Sequence, residues 1–506
     1  MVARFVYALC LIPLPLMAQQ PLSAIDWLEN TQPASTLPEQ NQATQPEIRG
    51  VVRPDISVTP LDEVQSDSVG LLPSSVTGLP VSIWRNSQTR QLISQLERLS
   101  MSHNPAIQQL TFSLMLAEAD APSDSNGKFE FLAARVNKLI DYGAIDPALA
   151  LVERAAPLPA PLVPLLFDLS LLTDALDPAC DQVLQLGSGF NDDAARIYCI
   201  ARKGDWLTAV LILETAEALD TLSPRMAALM HLFLETDIDD VLAANMPPPL
   251  DPSPLEFRIY EAIGEPLNPA SLDRAYSVSQ LSGENGWNSQ LRAAERLAET
   301  GALSDNRLLG IYTSSEPSAS GGVWERVRLM RTLENALKSN DSDQILTTFK
   351  TAKAEFDDAQ LLAPFARLFM EQVVEKLGKT SLDQDILETA FLTPNYESFS
   401  ALVSKDATRE LRFKAAIARG DLGDWIAGSD LEESLVQAFQ DPQIHHSIQD
   451  LLSQGRLGEV ILTAIAQFDR GAAGDLNDLK EAISIFRYVG LEDTARRATL
   501  SYLLGY

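Results

Sequence analysis

Glycine recurs at points where one helical run ends and the next begins at once, and this punctuation restricts the chain to a stack of short helices. Ile140-Asp141-Tyr142-Gly143-Ala144 leads to Ala148, and Ala201-Arg202-Lys203-Gly204-Asp205-Trp206 leads to Ala209. Leu452-Ser453-Gln454-Gly455 leads to Val460, and Tyr488-Val489-Gly490-Leu491 to Ala495. Glycine suits the left-handed residue just past a helix C-terminus. The small or slim residue five places on lets the returning helix pack closely. Weaker marks stand at Asp174, Asp237, Gly264, Gly301, Asn340, Gly378 and Gly420, and from 143 to 490 the marks average about 35 residues apart.

Apolar residues repeat at helical spacing, as in Leu92, Leu96 and Leu99, or Leu132, Val136, Leu139 and Ile140. β-branched runs are short, and Asn126-Gly127, a hairpin-turn dipeptide, sits in a polar loop. The predicted fold is all-α: stacked antiparallel helical hairpins, solenoid or superhelix-like. The period loosely resembles tetratricopeptide-like solenoids, although no unit carries that family's Trp, Tyr and Pro at their usual offsets. A Pro-rich connector spans 245–254. A Ser/Gly loop at 314–322 predicts a seam between an N-terminal half, 81–313, and a C-terminal half, 323–506.

Residues 1–18 read as a secretory signal: Arg4 is the single charge, an apolar stretch runs from Phe5 to Met17, and Ala18 offers a small residue for cleavage. That stretch holds Pro13 and Pro15 and is shorter than the ~20 residues a span needs. Leu9 before Cys10 is wrong for a lipidated cysteine. Elsewhere the longest apolar run, Trp206 to Leu213, is too short to cross a bilayer. Residues 19–80 carry eight prolines, no lysine and no apolar period, which predicts a disordered arm. Leu79, Ile83 and Trp84 close it with a bulky apolar group. The preferred reading pins them on the helical body; the other makes them partner contacts.

The net charge of −30, from 39 basic and 69 acidic residues, argues against nucleic acid and against anionic lipid. Loss of Arg4 with the signal leaves 38 basic against 69 acidic, or −31. An exported chain can oxidise its cysteines. Cys180 and Cys199, nineteen apart on consecutive predicted helices, are a disulfide candidate, with two buried thiols as the alternative.

Three stretches carry a resemblance: Phe131-Leu132-Ala133-Ala134-Arg135-Val136-Asn137-Lys138-Leu139-Ile140, Ala195 to Trp206, and Ser318-Ala319-Ser320-Gly321-Gly322-Val323-Trp324. They resemble exported α-helical proteins of alphaproteobacteria, over roughly 75–340. The resemblance implies a Gram-negative periplasm and brings no activity, cofactor or catalytic residue.

Specific chemistry is scarce. His445-His446, with Asp441 and Asp450 near, point about 100° apart on a helix and do not form an i, i+4 metal pair. Gly378-Lys379-Thr380 matches the tail of a P-loop, but Val373 stands where the leading Gly belongs. Glu397-Ser398 resembles the catalytic pair of soluble lytic transglycosylases, without their downstream segment. Ser320, Gly321 and Gly322 at a helix start are a candidate anion-binding loop, weighed against a plain flexible cap. Trp206, Trp287, Trp324 and Trp425 read as helix-pair anchors.

No catalytic residue, metal ligand or cofactor emerges. The sequence is read as a non-catalytic periplasmic scaffold or adaptor that binds another protein, basic by charge complementarity, within a cell-envelope assembly for secretion, cell wall or flagellar motor. The alternatives are a peptidoglycan-processing enzyme or accessory, and a solute-binding or stress-protective protein.

Overall fold

The computed structural model describes residues 67–506 apart from 174, 235–246, 284 and 380. The expected signal and the arm up to residue 66 lie outside the described residues, as do the marks at Asp174 and Asp237. Among the described residues every regular element is helical, and most consecutive helices pack as neighbours.

The predicted punctuation is realised as one repeated turn. Gly143, Gly204, Gly455 and Gly490 all have φ between 71° and 88°. In each case the next residue's N–H reaches back five: Ala144 to the Leu139 carbonyl at 2.9 Å, Asp205 to Ile200 at 3.2 Å, Arg456 to Leu451 at 3.0 Å and Leu491 to Phe486 at 2.7 Å. These bonds satisfy carbonyls that the helix end leaves over. Gly143 also meets a second demand: a Cβ there would lie 2.6 Å from the Leu297 side chain of another helix pair.

Residues 67–80, expected in the disordered arm, belong to the body. Asp67 is buried, and its carboxylate accepts the Leu132 N–H at 2.9 Å, in the first turn of helix Glu130–Asp141. Arg135 of that helix is fully buried. It donates to the carbonyls of Val69 at 2.8 Å, Met115 at 2.6 and 2.9 Å, and Ala117 at 2.9 Å. Burial lowers its pKa to about 10 against the pull of Asp67, so it stays charged. A single guanidinium thus ties down a segment whose own composition would leave it loose. Lys138, one turn on, is buried between the Leu99 carbonyl and Asp141.

Leu79, Ile83 and Trp84 are at most 5% exposed, so the partner-contact reading is withdrawn. Trp84 packs edge-on against Phe131 with centroids 5.2 Å apart. The Ile83 carbonyl accepts the Gly458 N–H at 3.1 Å, and a Cβ on Gly458 would lie 2.3 Å from the Trp84 ring. Here the array departs from a simple solenoid, in which each repeat touches only its neighbours. Helices Thr89–Arg98 and Pro105–Leu116 pack on Leu457–Ala472 and Glu492–Leu503. Gln95 donates to Thr463 at 3.2 Å, Asn104 to the Ala498 carbonyl at 3.0 Å, and Arg497 to Gln109 at 2.6 Å.

The loop 314–322 runs between helices that share contacts. Arg326 of Val323–Ser339 pairs with Glu295 of Trp287–Ala298 at 2.8 Å, and Trp324 packs on Trp287 at 5.1 Å. Cys180 and Cys199 are disulfide-bonded and buried, joining Leu176–Leu186 to Asp193–Arg202.

Candidate functional site: an acidic cleft at the chain crossing

The connection 99–104 turns through the crossing and leaves a cleft of about 790 Å³ against Leu457–Ala472 and the segment after Glu492–Leu503. Asn104 shapes the turn. Its side-chain oxygen accepts the N–H groups of Ala106 and Ile107, starting helix Pro105–Leu116, while its amide holds Ala498. Gln108 donates to the Ser102 carbonyl at 2.9 Å and the Glu299 carbonyl at 3.1 Å, joining a third helix to the site.

Asp469 is the central group. Ser102 donates its hydroxyl to Asp469 Oδ1 at 2.6 Å, whereas Oδ2 is covered and has no hydrogen-bond partner. Burial pushes the acid from an ordinary 3.8 up to about 6; the Ser102 bond and nearby His103 pull weakly the other way. The cleft wall also carries His103, Glu299, Gln360, Tyr502 and Tyr506, and no Lys or Arg. Glu299 is engaged by Arg274 at 3.0 Å, and His103 lies 4.0 Å from it. The Ser102 N–H donates to the Tyr142 hydroxyl, whose pKa burial raises to about 12, so that phenol stays neutral.

Gln360 joins Ser342–Asp358 to Leu362–Leu377 with φ 59°, and Leu361 N–H returns five residues to Phe356 at 2.7 Å. It occupies the left-handed position that glycine fills elsewhere in the array, a conformation disfavoured for a residue with a Cβ. Gln360 lines this cleft and an adjoining one of about 390 Å³ that shares Glu299 and Tyr506 and adds Phe112, Arg367 and Arg497.

The arrangement can hold a positive charge or exchange a proton near pH 6. Ser102 donates to the Asp469 carboxylate, and the His103 side chain is 66% exposed beside Glu299.

The sequence candidates fall elsewhere. Ser320, Gly321 and Gly322 are exposed, with no side-chain cap on the helix they precede. His445 caps its own helix, its ring nitrogen accepting the Ser447 N–H, and His446 is solvent-exposed. Among the described residues no His/Cys/Asp/Glu group could hold a metal. Gly378 and Lys379 follow a helix C-terminus, whereas a P-loop precedes a helix. Glu397 is 66% exposed, 3.9 Å from Arg496. Trp287, Trp324 and Trp425 pack as anchors, while Trp206 remains 46% exposed.

The sequence reading missed Asp469, Ser102 and Gln360. Only Gln360 carried a signal, as a left-handed turn without glycine. No family model matches the chain, and no curated protein or solved structure matches it significantly. The fold and site define an all-α body of packed helical hairpins with an acidic polar cleft.

Proposed function

We propose that the protein is a non-catalytic adaptor, exported to the periplasm of a Gram-negative cell, that holds another protein within a cell-envelope assembly. The observation that carries this reading is the outward face of helix Trp206–Ala218. Leu207 is 87% exposed, Leu211 62% and Leu219 68%, with Trp206 at one end. At 100° per residue Leu207, Leu211 and Ala218 fall on one line with Glu214 among them. Glu214 interrupts the line, which leaves Leu207 and Leu211 as an exposed apolar pair with Trp206 at the helix start and Leu219 just past its end. Glu214 lies on the line, Glu217 lies about 80° round the helix, and Asp205 and Asp220 flank the helix ends. The complementary surface is an amphipathic helix with apolar anchors and basic flanks.

Among the described residues no helix is long and apolar enough to cross a membrane. The peptidoglycan-enzyme reading calls for a carboxylic acid held in a cleft; Glu397 stands largely in solvent, and the acid a cleft does hold is Asp469.

A photo-crosslinking residue at Leu211, in intact envelopes, is expected to give one discrete adduct whose contact peptide is apolar and basic. Leu207→Asp should abolish it, with the helical circular dichroism unchanged. An adduct that survives Leu207→Asp, or no discrete adduct, overturns the reading.

A further inference from the structure

We propose that the cleft at the chain crossing binds an organic cation, a primary ammonium or guanidinium group on a polar body, with Asp469 as its counter-charge. This stands apart from the adaptor reading and uses a different part of the molecule.

Three observations converge. The cleft is about 790 Å³, within the ~300–1,000 Å³ typical of small-molecule sites. Its charged wall is one-sided: Asp469 and Glu299 are acidic, His103 is the one histidine, and no Lys or Arg lines it. Glu299 already has Arg274, so the negative charge left to a guest is that of Asp469. Finally, Asp469 spends one oxygen on Ser102 and has nothing on the other.

A carboxylate half withdrawn from water with no cation opposite is costly, and the fold bears that cost here. Arg470, next in sequence, turns instead to Asp478. Asp469 lines the cleft, so a guest cation there stands opposite its charge, although Oδ2 itself is covered. Tyr502 and Tyr506 add aromatic rings of the kind that attract cations, and Ser100 and Gln360 add hydrogen-bonding groups for a polar body. An anionic guest meets repulsion from both acids.

The groups facing Asp469 are Ser102 and His103 on the connection, Tyr142 just past the end of helix Glu130–Asp141, and across the cleft Glu299, Tyr502 and Tyr506. Among them His103 is the group that can carry a positive charge beside Asp469, so its variant serves as a control.

Isothermal titration calorimetry on the purified protein tests the proposal at pH 7.5 and 5.0. The probes are spermidine, L-arginine amide and the tripeptide Gly-Lys-Gly, with glucose and citrate as controls. Saturable one-to-one binding of at least one cationic probe is expected. Spermidine alone would indicate a free polyamine, and the tripeptide or arginine amide a basic side chain. Affinity should fall about tenfold at pH 5.0, because only about a tenth of an acid with pKa near 6 is ionised there. Asp469→Asn should weaken binding at least tenfold at pH 7.5 and flatten the pH dependence, while His103→Gln retains most of it. If the Asn variant fails to fold, the wild-type and His103→Gln pH series still decide. No saturable binding of any cationic probe, equal binding of citrate, or an affinity unchanged in Asp469→Asn overturns the proposal.

Discussion

Asp469→Asn should stabilise the protein near neutral pH while emptying the cleft of its charge. The native acid has its pKa raised from 3.8 to about 6, chiefly by burial. Between those two values the folded state holds more protons than the unfolded state, so stability falls as pH rises. The contribution is fully favourable only below about pH 3.8, and the loss is complete above about pH 7. Over the whole window it amounts to about 3 kcal/mol, at 1.36 kcal/mol per pH unit. Asparagine keeps the Ser102 bond through its carbonyl oxygen and does not titrate. The amide nitrogen takes the unpartnered place of Oδ2, at a cost of ~1–2 kcal/mol that does not change with pH. The difference between variant and wild type should therefore rise by about 1–2 kcal/mol from pH 5.0 to pH 7.5. For a body of this size the entropy of unfolding is roughly 0.9 kcal/mol per kelvin, so the gap in Tm should widen by about 1–2 °C. Differential scanning calorimetry at both pH values, with matched ionic strength, measures it. A gap that stays constant or narrows refutes the claim that Asp469 is an uncompensated buried acid. A stabilising substitution that also removes ligand binding is the signature of a residue kept for function at the expense of stability.

Gly458→Ala should destabilise by about 1–3 kcal/mol, because the clash with the buried Trp84 ring outweighs the ~1 kcal/mol that alanine adds to a helix; a raised Tm would refute the close packing. Arg135→Met should cost about 3–5 kcal/mol by leaving the Val69, Met115 and Ala117 carbonyls buried without a donor. Limited proteolysis should then cut within 67–80 before any other site in the body. Replacing Cys180 and Cys199 together with serine should lower stability by about 2–4 kcal/mol. Peptide mapping without reductant should recover the two cysteines of the wild type on one linked fragment.

The parts of this fold legible in the sequence are those set by neighbours in the chain. Gly143 and Gly455 announce their turns because only a left-handed residue closes that geometry cheaply. Cys180 and Cys199 read as a pair because consecutive helices pack side by side. Arg135 and Lys138 stand off the apolar line of Leu132, Val136 and Leu139 in the sequence; what buries them is carbonyls from segments with no periodic signature. The cleft was equally silent. Ser102 and Asp469 are 367 residues apart, and neither sits in a motif. Their juxtaposition is a property of the crossing, where helices far apart in the chain pack together.

That crossing dictates an order of assembly. Ile83, Trp84, Gln95 and Asn104 leave the ribosome early, yet the groups that receive them, Gly458, Thr463 and Ala498, are made after most of the chain. Hairpins in between can form as they emerge, but the first helices must wait with an uncovered tryptophan, an unfilled Ile83 carbonyl and the Gln95 and Asn104 amides without their acceptors. Completion of the body is thus a late, concerted event that reports on nearly the whole polypeptide, and chains truncated before Gly458 betray themselves by the apolar surface they cannot put away.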